Sequence, residues 1–242
     1  MKYTYLDIKN SYPKEKEKLE SLYGRIIPVR KISFLLTRII INTNILPWHI
    51  SVLSIVIAIL GCILIGVDNK ILQIIGVLLI AFWHIFDCID GNIARVKNIS
   101  SMLGSFVDAC SGYFIMAFLP IAIGVGAFYE KSNIVFILLG GIASISGILM
   151  RLIHQKYAYT LSVLEKLENK KYEKGDNAYQ LTGFHKIRKK LDIECNSCGL
   201  PMLFLLMSPF FNSFFILVIY YFIFYTLSLL IGTIYYLKKG RE

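Results

Sequence analysis

The stretch ILQIIGVLLIAFWHIFDCIDGNIAR, residues 71–95, decides the fold. No residue between Ile71 and Phe86 is charged, and the run Ile71–Ala94 exceeds the roughly 20 residues that cross a bilayer as helix. Two aspartates, Asp87 and Asp90, stand near its end, followed by Gly91, Ala94 and Arg95. An aspartate at the centre of a membrane helix costs about 2.5–3.5 kcal/mol on insertion scales, so acids retained even at shallow depth mark a functional site. Asp87 and Asp90 are three apart and share one helical face, which Gly91 and Ala94 continue.

Runs of the same kind lie on both sides. Pro47–Gly66 is one, with proline at the helix start, where its missing N–H costs nothing. Gly104–Phe128 and Asn133–Leu152 are two more, and Leu191–Leu237 holds a further pair broken near Ser208-Pro209. The whole chain agrees: its 242 residues are 56% hydrophobic and 17% charged, with a mean hydropathy of +0.60. A soluble domain carries about a quarter charged residues, so a soluble fold is excluded, and the wealth of Ile, Leu and Phe excludes disorder. Between Gly24 and Asn42, Arg25, Arg30, Lys31 and Arg38 alternate with aliphatic and aromatic residues, the pattern of a helix lying among lipid headgroups. The expected fold is an all-α integral membrane protein. Residues 1–45 form a cytoplasmic segment and an interfacial amphipathic helix. Residues 46–237 form about six transmembrane helices with a cytoplasmic loop at about 158–190, and 238–242 form a tail.

Charge placement gives the orientation. Of 26 lysines and arginines, all but Lys70 and Lys131 fall in segments that six spans place on one side. The positive-inside rule then predicts both termini in the cytoplasm. The net charge of +10 is spread along that membrane face without a nucleic-acid-binding fold, so nucleic acid is not an expected partner. Gly124, Gly126, Gly140, Gly141, Ala143, Ser144 and Gly147 suit close helix approach. The five cysteines offer no disulfide framework, and Cys195-Asn196-Ser197-Cys198 is read as two interfacial thiols.

A third acid, Asp108, lies four residues after Gly104 on the next span, and a helical hairpin brings it to Asp87 and Asp90. Three carboxylates make an all-oxygen ligand set, suited to Mg²⁺, Mn²⁺ or Ca²⁺ rather than zinc. The alternatives are ion pairs with Arg95, Lys97 or Arg151, or a cation pathway through a transporter. Small residues beside converging acids favour the metal. Acids gathered at one end, with no internal repeat, speak against a transporter. The Arg95 fork fits phosphate oxygens, so the substrate expected here is phosphorylated.

From Asp87 to Asp108 the residues Asp87, Asp90, Gly91, Ala94, Arg95, Gly104 and Asp108 match seven of the eight fixed positions of D-x2-D-G-x2-A-R-x8-G-x3-D-x3-D. This resembles the CDP-alcohol phosphotransferase (CDP-alcohol phosphatidyltransferase) family, and Leu46-Pro47-Trp48-His49-Ile50-Ser51 is similar to that family's T-P-N-x-x-T at the first span. The resemblance implies a membrane transferase of phospholipid or related polar-lipid biosynthesis. It moves a phosphoalcohol or phosphatidyl group from a CDP-alcohol donor to an alcohol acceptor's hydroxyl and releases CMP. It implies two Mg²⁺ or Mn²⁺ ions on Asp87, Asp90 and Asp108, a nucleotide admitted by Gly91, Ala94 and Gly104, and a phosphate held by Arg95. It further implies an anionic acceptor held by Arg151, an active site at the cytoplasmic face, and a homodimer in the bilayer.

The eighth position, the family's metal neighbour and general base, is Gly112. Three explanations stand: a base from elsewhere, with His154 or the acceptor's own phosphate as candidates; a relative that binds metal and donor without efficient turnover; or an engineered replacement. Losing a general base typically costs 10²–10⁴-fold.

Overall fold

The computed structural model describes residues 2–13, 17, 20–168 and 193–240. Among them every regular element is helical and none is a strand. Three short helices come first: α1 (Tyr5–Asn10), α2 (Leu22–Ile26) and α3 (Val29–Ile40). Then follow α4 (Pro47–Ile65), α5 (Lys70–Lys97), α6 (Met102–Lys131), α7 (Val135–Glu168), α8 (Leu200–Phe211) and α9 (Phe214–Lys239). Six helices are long and apolar enough to cross a membrane, the fifth of them being Ile193–Phe211, which contains α8.

Local chemistry sets the boundaries. Pro47 opens α4. The Asn69 side chain accepts from the backbone N–H groups of Ile71 and Leu72 at the head of α5, and Ser101 accepts from Gly104 N–H at the head of α6. Each cap satisfies donors that the first helical turn leaves open. Asn98 and Asn212 close α5 and α8 in the left-handed conformation at φ 51° and 48°, which asparagine tolerates better than most residues. The break expected at Ser208-Pro209 therefore falls at Asn212, with Pro209 inside the last turn of α8. Across that break, the Glu130 carboxylate at the end of α6 accepts from Phe214 N–H and Phe215 N–H at the start of α9.

The fourth span also runs further than its apolar stretch. α7 continues to Glu168, so residues 158–168 of the expected loop are helical; the part from 169 to 190 lies outside the described residues, as does most of the mixed-charge run Lys14–Lys18.

Packing is uneven. α4 packs along both α5 and α6, while α7 packs against α6 and α9. α5 and α6, consecutive in sequence and bearing the acids, barely touch each other. At the α4–α5 crossing a Cβ on Gly76 would stand 2.7 Å from the carbonyl oxygen of Gly61; at the α6–α7 crossing one on Gly140 would stand 2.5 Å from the Pro120 oxygen. Both distances are shorter than real Cβ contacts, so these glycines set how closely the helices approach. The interfacial segment is docked rather than loose. Ile8 of α1 is fully buried against Phe34 and Ile41, and Asn92 of α5 donates to Ser33 Oγ and Thr37 Oγ1 of α3 at 3.3 and 3.2 Å. Meanwhile Ile26, Leu35 and Ile39 stay exposed, a face suited to lipid.

Candidate functional site

A cavity of about 410 Å³ opens where α4, α5 and α6 meet beneath the N-terminal segment. Its walls include Asp87, Asp90, Gly91, Ala94 and Arg95 from α5, Gly104 and Asp108 from α6, and Pro47 and Ser51 from α4. All seven motif residues thus face one space, although α5 and α6 scarcely pack together. The first span supplies the common wall, and the short turn after Asn98 holds the two helix ends beside it.

Within the cavity one carboxylate oxygen from each of Asp87, Asp90 and Asp108 lies within 4.8 Å of the other two. Asp90 is the deepest, 5% exposed, and Asp108 the most open. Ser51 Oγ donates to Asp90 Oδ2 at 2.5 Å, fixing that carboxylate's orientation. Three acidic oxygens at such spacing repel one another unless a cation or protons lie among them. Their hardness and number fit a divalent ion of the magnesium or manganese type.

The small residues act locally. A Cβ on Gly91 would come 3.1 Å from Arg95 Nη1, so the glycine leaves the guanidinium room to fold back along its own helix. Arg95 Nη2 donates to Asn92 Oδ1 at 2.6 Å, which connects it through Asn92 to Ser33 and Thr37 of α3. Gly104 sits in the first turn of α6, above the capping Ser101.

Gly112 follows Asp108 by one helical turn. A Cβ there would meet Arg151 Nη2 at 3.8 Å and nothing nearer, an ordinary contact distance, so the position has room for a side chain. Its neighbours in sequence point away. Ser111 Oγ is buried, accepts from Trp83 Nε1 at 2.7 Å and shares a 3.0 Å hydrogen bond with Ser54 Oγ; Tyr113 lies under the Arg151 guanidinium at 5.6 Å and meets Gln155. Arg151 and His154 do not line the cavity. His154 Nδ1 lies 2.5 Å from the Tyr236 hydroxyl, on the exposed side of α7.

The cavity is also lined by residues outside the motif, among them Tyr12, Arg30, Ser51, His84 and Ser105. Ser51 had a signal in sequence, as the last position of the degenerate T-P-N-x-x-T segment. Arg30 was legible only as one of several interfacial cations, and nothing local marked Tyr12. Outside the membrane-spanning segments, burial pushes the Tyr12 hydroxyl and the Glu20 carboxyl above their usual ranges, with Arg30 opposing both.

A comparison with curated proteins finds no match. A family model described as CDP-alcohol phosphatidyltransferase matches residues 44–224, about three quarters of the chain and the whole of the α4–α5–α6 cavity wall. With that match spanning the helices that converge on the three aspartates, the chain belongs to the CDP-alcohol phosphatidyltransferase family.

Proposed function

We propose that this protein transfers a phosphoalcohol or phosphatidyl group from a CDP-alcohol to an acceptor hydroxyl, releasing CMP, in the synthesis of phospholipid or a related polar lipid. The observation that carries this reading is the single cavity lined by all seven motif residues, with three carboxylates within 4.8 Å. In the transfer, the acceptor oxygen forms a bond to the donor's distal phosphorus. The bond from that phosphorus to the bridging oxygen breaks, CMP leaves with the electron pair, and the acceptor's proton passes to a base.

Asp87, Asp90 and Asp108 would hold Mg²⁺ or Mn²⁺. Bound divalent ions neutralise the oxygens of the diphosphate and the leaving CMP. Ser51 keeps Asp90 in register for that role. Gly91, Ala94 and Gly104 leave the cavity wall low enough for the nucleotide, and Arg95 presents its planar fork to a phosphate. Arg151, whose Nη2 is 3.8 Å from where a Cβ at position 112 would be, suits an anionic acceptor at the gap that Gly112 leaves. An anionic group on that acceptor would take the hydroxyl proton, in preference to His154, which is engaged with Tyr236. The asymmetry of lysine and arginine supports cytoplasmic termini and a cavity open to the cytoplasm. A homodimer, as the family resemblance implies, belongs to the same proposal.

A second reading, a relative that binds donor and metal with little turnover, is favoured by Gly112 alone. One experiment addresses both. The purified chain in lipid nanodiscs is incubated with CDP-diacylglycerol and a panel of CDP-alcohols and acceptors in Mn²⁺, with EDTA as control. CMP release abolished by EDTA is expected. Gly112→Asp, which the space at that position accommodates, is expected to raise release by about 10²–10⁴-fold if the missing carboxylate limits the rate. No CMP from either form would overturn the transferase reading.

A further inference from the structure

The cavity has a second charged feature besides its carboxylates. Tyr12, which precedes the residues matched by the family, places its ring between two arginines. Arg30 Cζ lies 4.3 Å from the ring centroid and Arg95 Cζ 5.4 Å. All three residues line the cavity. Two like charges on one aromatic ring repel each other. Glu20 forms a long ion pair with Arg30, Oε1 standing 3.9 Å from Nε, too far for a hydrogen bond. The Nε atoms of both Arg30 and Arg95 are buried with no hydrogen-bond partner. Buried donors of this kind ordinarily have one.

The two guanidiniums are also held at a set spacing. Asn92 accepts from Arg95 through Oδ1 and donates through Nδ2 to Ser33 and Thr37, on the helix whose first turn carries Arg30. Two pre-positioned guanidiniums lining one cavity match one ligand chemistry, an oxyanion with several acceptor oxygens.

We propose that Arg30 of the interfacial helix joins Arg95 in a phosphoryl-anion subsite of the cavity, with the Tyr12 ring holding the two guanidiniums in place. The ligand is a phosphate group, carried either by the CDP-alcohol's diphosphate or by an anionic acceptor. In identifying those two sources, the inference rests on the transferase reading above.

The test is calorimetric titration of the full chain in nanodiscs with Mn²⁺, using CDP, CMP and inorganic phosphate as probes. Arg30→Gln is expected to weaken binding of a phosphate probe about 10–100-fold, the range for losing hydrogen bonds to a charged group. Tyr12→Leu is expected to weaken it less. Lys31→Gln removes an exposed charge from the same helix and should bind as the unmodified chain does. If Arg30→Gln fails to fold, Arg30→Lys carries the test, since it keeps the charge and loses the fork.

Loss on CDP with a smaller loss on CMP assigns the subsite to the donor. Unchanged CDP binding, with loss of phosphate binding to the CDP-saturated protein, assigns it to the acceptor. CDP and phosphate both bound equally by the Arg30 variants overturns the subsite and leaves the transferase reading standing. Phosphate binding that depends on Arg30, without any CDP binding, keeps the subsite and overturns the transferase reading. Binding of neither probe overturns both.

Discussion

Ser51 brings one hydroxyl to the deepest of three carboxylates, and that 2.5 Å contact is the sort that decides how well a metal ligand is aimed. Groups that orient a ligand typically contribute 10–100-fold in metal affinity. Ser51→Ala is therefore expected to weaken Mn²⁺ binding by about that factor, read by electron paramagnetic resonance of free Mn²⁺; undiminished binding would show that Asp90 needs no help. The residue scale is also where sequence was most and least informative. Asp87, Asp90 and Asp108 announced themselves because an acid inside a hydrophobic run has no other excuse. Arg30 did not, because a cation on an interfacial helix is ordinary until its partner from a distant segment is known, and Ser51 was marked only by its place in the degenerate T-P-N-x-x-T segment.

Among the elements, hydrophobic length alone placed all six candidate spans. Their ends were less legible, for physical reasons that differ. α7 outlasts its apolar stretch because helix-forming polar residues carry it to Glu168. α8 outlasts Pro209 because a proline late in a helix forfeits one hydrogen bond while Asn212 supplies the actual stop. The glycines of the third and fourth spans were readable as packing residues, and Gly124 and Gly140 meet at Cα distances consistent with that, a Cβ on Gly140 lying 3.3 Å from Gly124 Cα. The equivalent pair Gly61 and Gly76 carried no cluster to flag it. Gly140→Val is expected to destabilise the protein by about 1–3 kcal/mol through overpacking, seen as a lowered midpoint in detergent unfolding. Gly141→Val, next to it with nothing within 4 Å of its Cβ, is expected to leave the midpoint unchanged.

At the scale of the whole molecule, the proposed orientation is open to a direct test. If the face bearing most of the cations is cytoplasmic, a fluorescent protein fused after Glu242 should fluoresce. Alkaline phosphatase fused at Asn133, beside Lys131 on the opposite side, should be active; the reverse pattern would put the cavity on the wrong side for a cytoplasmic nucleotide. The hairpin expected from sequence does bring the three acids together. Its two arms, α5 and α6, scarcely pack on each other; each leans on α4. Along the first turns of α6, the helix that carries Asp108, Met102, Leu103 and Phe106 are exposed at 92%, 50% and 65%. Were the proposed donor a lipid-linked CDP-alcohol, these side chains would offer its acyl tails an apolar surface on the helix that carries Asp108, so that its headgroup could reach the carboxylates while the tails stayed dissolved in the leaflet.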